Sequence, residues 1–212
     1  MENEEIIIPK ASKEKTPWSK IFAILTILFM AGWALALYVE KEPAQKNFVE
    51  QFNVSNYVFY KLKDGTFSTA VDVKGQKIPV AFYLDPRNAS NIPISKDLNF
   101  LLSAKKVYIT FNPNQENLSA FAIAAAQISR ILALYDIKVV GAYTEDTKPI
   151  DPNVPIKTCA DATELNPVIF LSMGNSSEIN VSKYCVNVRG ADPQSLVFAA
   201  DKLGYALLGI KV

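Results

Sequence analysis

Histidine is absent from the sequence. The side chain that most often moves protons near neutral pH, and most often ligates a metal, is therefore missing from any mechanism this chain could use. Glycine is scarce at 8 residues, and neither a phosphate-cradling glycine loop nor a G-x-S-x-G turn occurs. Charge of one sign is not in excess either: 22 Lys and Arg stand against 21 Asp and Glu, scattered rather than clustered, for a net charge of +1. A nucleic-acid surface is not expected from that balance. No metal-ligand cluster is evident, and no catalytic, cofactor-binding or metal-ligating residue stands above background.

What is present begins with a long apolar run. Residues 21–39, "IFAILTILFMAGWALALYV", hold 19 consecutive uncharged residues between Lys20 and Glu40. At 1.5 Å per residue that is roughly 28 Å, enough for a hydrocarbon core of about 30 Å. Trp18 and Tyr38 sit where amphipathic rings favour the headgroup region. One transmembrane helix is predicted, and the lipid bilayer is the first expected partner. Lys10, Lys13, Lys15 and Lys20 precede the span while Lys41 and Lys46 follow it, so the positive-inside bias puts residues 1–20 in the cytoplasm. The C-terminal bulk is then extracytoplasmic. A cleaved signal peptide ending near Ala34-Leu35-Ala36 is the competing reading, although the apolar run is longer than a signal h-region. Gly32 and Ala36 form a small-xxx-small pair that suits helix association or simply faces lipid.

Beyond a linker at 40–55 the pattern alternates. Residues 56–62, 66–73 and 77–84 read as strands joined by "KDG" and "KGQ" turns, a three-stranded antiparallel meander over 56–94. Pro79 places the third of these on an edge. Residues 95–212 read as a compact α/β domain packed with the meander. "KVYITF" (106–111) has the look of a strand buried on both faces, 119–135 is an alanine-rich helix capped by Asn117 or Ser119, and 138–144 is a strand, together a βαβ unit. Strands at 167–173 and 184–190 follow, adjacent as a hairpin or apart in the sheet. The closing helix starts at Asp192-Pro193. The predicted fold class is thus α/β, of α+β character, with an N-terminal span, a meander, a βαβ-containing sheet and a C-terminal helix. Both long helices are strongly apolar. Arg130 in the first and Asp201 in the second suggest an ion pair between them, unless each reaches solvent at its helix edge.

Cys159 and Cys185 are the only cysteines. In an exported domain a disulfide is expected, worth roughly 3.5 kcal/mol for a closed loop of about 27 residues, with a reduced buried pair as the alternative. Five Asn-X-Ser triplets begin at Asn53, Asn88, Asn117, Asn175 and Asn180. With 15 asparagines, chance supplies about one or two such triplets, so N-glycosylation is expected if the cell performs it. Residues 175–183 read as an exposed turn. The polar groups best placed for a ligand follow the parallel strands: Asn112, Asn114 and Glu116, with oxygens at a spacing Ca²⁺ accepts, and Thr144, Glu145 and Asp146. A polar loop capping a helix explains the first set as well.

The string "PVAFYLDPR", "VYITFNPN", "ISRILAL", "IKTCADAT", "PVIFLSMGN", "YCVNVRG" and "AADKLGYALLGI" resembles a group of uncharacterised single-span, membrane-anchored extracytoplasmic proteins of archaea. The resemblance implies paired cysteines and an exterior where sequons are glycosylated. It implies no activity and no cofactor. The expectation is a non-enzymatic binding or assembly module of the cell envelope whose partners are other membrane or envelope proteins. The alternative is an envelope hydrolase using Glu145 or Asp146 with Asp85.

Overall fold

The computed structural model describes residues 48–145 and 153–212. The predicted span, the tail before it, residues 40–47 of the linker and Asp146 lie outside the described residues. None of the helices among the described residues is long and apolar enough to cross a membrane.

An antiparallel sheet comes first, in the order β1-β2-β3-β4, with β1 at Phe48–Val54, β2 at Tyr57–Leu62, β3 at Phe67–Val73 and β4 at Gln76–Phe82. The last three are the expected meander. β1 lies where a linker was predicted, and it forms because Phe52 and Val54 turn inward between exposed Gln51, Asn53 and Ser55, Phe52 stacking on Phe59 at 5.9 Å. Both glycine turns behave as their residues dictate. Gly65 adopts φ +87° while the Asp64 carboxylate accepts from the Thr66 amide at 2.9 Å, and Lys74 and Gly75 take φ values of +55° and +80°, the paired positive φ of a primed hairpin turn. β4 is an edge strand, which is how Pro79 is tolerated without a ladder donor.

The second sheet runs β6-β5-β7-β9-β8, with β5 at Lys106–Phe111, β6 at Lys138–Tyr143, β7 at Val168–Met173, β8 at Glu178–Ser182 and β9 at Cys185–Gly190. All neighbours are parallel except β8 with β9. The βαβ unit is present, β5 and β6 flanking helix α2 at Leu118–Ala133; α1 is the short helix Asn99–Ser103 and α3 is Pro193–Leu207. The expected turn at 175–183 is half strand. Ile179 and Val181 point into the core from β8, so β7 and β9 become parallel neighbours linked by an antiparallel detour. Residues 93–95 cover the outer edge of β8: the Ile179 amide donates to the Pro93 carbonyl and the Ser95 amide to the Ile179 carbonyl. An unpaired strand edge is thereby removed.

α2 and α3 pack on each other and on one face of this sheet. The inner face of the meander closes over the same helices, with Phe82 and Phe59 against Tyr205 at 4.2 and 6.0 Å. The order of layers is sheet, helices, sheet. Two glycines permit the close approaches. A Cβ on Gly204 would stand 2.3 Å from Ile131 Cδ1, and one on Gly190 would stand 2.3 Å from the Leu196 amide nitrogen. β5 is not buried on both faces as expected: among the described residues no helix covers the second face, and Tyr108 stays partly exposed there beneath the Lys106 and Lys157 ammonium groups. The loop containing Lys157 covers part of that face instead, its carbonyl accepting from Thr110 Oγ1 at 2.8 Å.

Candidate functional site

An open cleft of about 650 Å³ lies where the end of β4, the 3-10 turn Pro86–Asn91, the start of β8 and the first turns of α3 meet. Its construction begins with Asp201. This carboxylate is fully buried in α3, and one oxygen accepts from the Tyr83 and Leu84 amides at 2.5 and 2.8 Å. Tyr205, one turn later, donates its hydroxyl to the Leu84 carbonyl at 2.6 Å. Arg130 of α2 donates to the Ala81 carbonyl and to Gln127 Oε1. Helix side chains thus hold the departing end of β4 from three sides, and that segment is one wall of the cleft.

The expected ion pair between Arg130 and Asp201 does not form. Both side chains are spent on the backbone of the same strand end, because unpaired amides and carbonyls at the end of an edge strand offer geometry that a helix-to-helix pair does not match. Arg130 still acts at a distance. Burial raises the Asp201 pKa to about 7, against the lowering pull of the two amides and of the Arg130 charge. The second Asp201 oxygen has no hydrogen-bond partner among the described residues.

Asp85 also lines the cleft, but its charge is compensated. Its carboxylate caps the 3-10 turn by accepting from the Arg87 amide at 2.9 Å, and the Arg87 guanidinium grips both oxygens at 2.6–3.1 Å. Burial pushes this carboxyl up, yet the Arg87 bonds and charge outweigh it and hold it below its ordinary value. Arg87 in turn reaches Glu50 at 2.7 Å and stacks on Phe52, 4.0 Å from the ring centroid. The remaining lining groups are neutral: Tyr83, Asn88, Asn91, Ser177, Ser195 and the apolar Phe67, Leu84, Ile92 and Phe198.

Of the carboxylates in the hydrolase reading, the two described ones, Glu145 and Asp85, are not neighbours. Glu145 accepts from Asn114 Nδ2 at 3.0 Å beyond the end of β6, at the opposite edge of the sheet from β8. Asn112 folds its side chain onto the Asn114 amide at 2.8 Å, an Asx turn, and Glu116 is exposed. Asn117 occupies the N-cap position of α2 in a left-handed conformation, φ +59°, without a side-chain capping bond. Asp192 caps α3 as expected, accepting from the Ser195 amide at 2.8 Å with Pro193 in the first turn.

Cys159 and Cys185 form a disulfide, with Cα atoms 5.3 Å apart. It ties the loop covering β5 to the start of β9. All five sequon asparagines are exposed: Asn53 on β1, Asn88 in the 3-10 turn, Asn117 before α2, Asn175 after β7 and Asn180 on β8. No protein-family model, curated protein or solved structure matches the chain.

Proposed function

We propose that the protein is a membrane-anchored, extracytoplasmic binding or assembly module of the cell envelope, glycosylated at several of its sequons and of the single-span kind that its resemblance to archaeal proteins implies. The observation that carries this reading is the Cys159–Cys185 disulfide, since such bonds persist in oxidising compartments and are rare in the cytosol. The apolar run at 21–39 and its lysine bias supply the anchor and the orientation. The exposure of every sequon asparagine leaves each open to modification. Binding rather than catalysis fits the cleft, whose one carboxylate is chelated by Arg87 and so is a poor proton acceptor.

Non-reducing mass spectrometry of the protein from native membranes tests this. The expected result is a Cys159–Cys185 cross-linked peptide together with sugar-bearing peptides covering at least one of Asn88 and Asn175. Free thiols at both cysteines with all five asparagines unmodified would place the domain in the cytosol and defeat the proposal.

A further inference from the structure

We infer that the cleft beside the N-terminus of α3 binds a neutral saccharide. This rests on the reading of the protein as an envelope binding module and names the ligand class of its site. The argument is one of complementarity. Tyr83 is 46 % exposed, offering a ring face whose hydroxyl is not engaged by any protein group among the described residues. The side-chain amides of Asn88 and Asn91 are exposed and likewise make no hydrogen bond within the described protein. Each amide both donates and accepts, as a sugar hydroxyl does. Ser177 Oγ accepts from the Ala191 amide at 3.3 Å and keeps its proton to donate. Ser195 Oγ donates to Asp192 at 2.7 Å and keeps its lone pairs to accept. Phe198 adds an apolar surface for the C–H face of a pyranose.

Other ligand classes fit less well. An anion such as a phosphate ester would find no cation in the lining, and Asp85 is already matched by Arg87. A cation would find that single carboxylate taken. A purely apolar ligand would leave Asn88 and Asn91 desolvated without partners, at about 1–3 kcal/mol for each group. A neutral polyol with one apolar face meets every condition at once, and about 650 Å³ accommodates two or three sugar rings.

The sugar has two possible sources. Asn88 is itself a sequon residue on the cleft wall, so a glycan attached there starts at the cleft, and a saccharide of another envelope molecule could enter the same space. The test uses the full chain in detergent, prepared without N-glycans, and a panel of neutral di- and trisaccharides of hexoses and N-acetylhexosamines, read by calorimetry and saturation-transfer NMR. At least one member should bind, and Asn91→Ala and Tyr83→Phe should each weaken it fivefold or more with an unchanged urea midpoint. Glucose 6-phosphate should bind at least tenfold more weakly than the best neutral sugar. Glycosylated native chain and its Ser90→Ala variant, which loses the sequon but keeps the Asn88 amide, separate the sources. Binding only after Ser90→Ala identifies the chain's own glycan as occupant, whereas equal binding by both identifies an external one. The inference falls if no panel member binds the unglycosylated chain, or if both cleft variants bind as the wild type does. Neither result bears on the compartment of the domain, which the disulfide and glycan peptides report separately.

Discussion

The Asp201 carboxylate sits among groups that pull its protonation in opposite directions. The Tyr83 and Leu84 amides and the Arg130 charge favour the anion, while burial and an unbonded second oxygen do not. Burial dominates, and the folded-state pKa rises to about 7 from an ordinary 3.8. Between those values the folded chain holds a proton that the unfolded chain has lost, so this residue's stabilising contribution is full below the lower value and declines as pH rises to the upper one. The slope is about 1.4 kcal/mol per pH unit at most. In urea titrations from pH 5 to pH 8, the wild type should lose stability relative to an Asp201→Asn variant, whose amide oxygen still accepts from both backbone groups. At pH 8 the variant should equal or exceed the wild type. A stability difference that stays constant across that range would mean Asp201 titrates as an ordinary aspartate. Sequence reading singles out Arg130, the only charge in its apolar helix, and Asp201, which shares its helix with Lys202, and offers them either each other or solvent at the helix edge. The competing partners are backbone groups at the end of β4, far off in sequence, and side-chain patterning carries no record of them.

At the scale of elements, the disulfide pins the cover of one sheet face. α/β sheets usually carry helices on both faces, and here the second face of β5 and β7 is covered by an irregular loop pinned through Cys159 to Cys185. Thr158 and Asp161 form a capping box around the single turn that presents Cys159, and those bonds hold the Asp161 carboxyl below its ordinary value. Reduction should therefore lower stability by roughly 3 kcal/mol and lose amide protection first around Thr158 and Lys157. Hydrogen exchange with and without reductant measures both. Uniform loss of protection across β5 and the loop would show that the bridge serves the whole domain rather than this cover. The same sheet shows which elements the sequence displays. Asp64-Gly65, Lys74-Gly75 and Asp192-Pro193 fix their turns and helix start locally, and each lies where it was expected. β1 and β8 escape because each has little inward apolar surface and no glycine turn beside it; β8 has Ile179 and Val181 alone. The cleft escapes for another reason. Its lining comes from five separate stretches between Phe67 and Phe198, and each stretch alone is an ordinary strand start, turn or helix start.

For the whole molecule, the shared helix layer decides whether the meander and the parallel-rich sheet fold as one. The meander buries Phe59 and Phe82 only by covering Tyr205 and its neighbours on α3, while α3 buries its other side on β7, β8 and β9. Neither sheet keeps its core if the helices leave. A single cooperative unfolding transition is the expected consequence for the described unit, with probes in the meander and in the five-stranded sheet coincident. Tyr205→Phe tests the coupling at one atom, since it keeps the ring in the core and removes only the bond to the Leu84 carbonyl. Leaving that buried acceptor without its donor should cost about 1–3 kcal/mol. Both probes should shift to lower urea together by the same amount. Two separated transitions, or a shift confined to the meander probe, would instead make the meander an independent unit resting on the helices, and the cleft between them a place where the two could part.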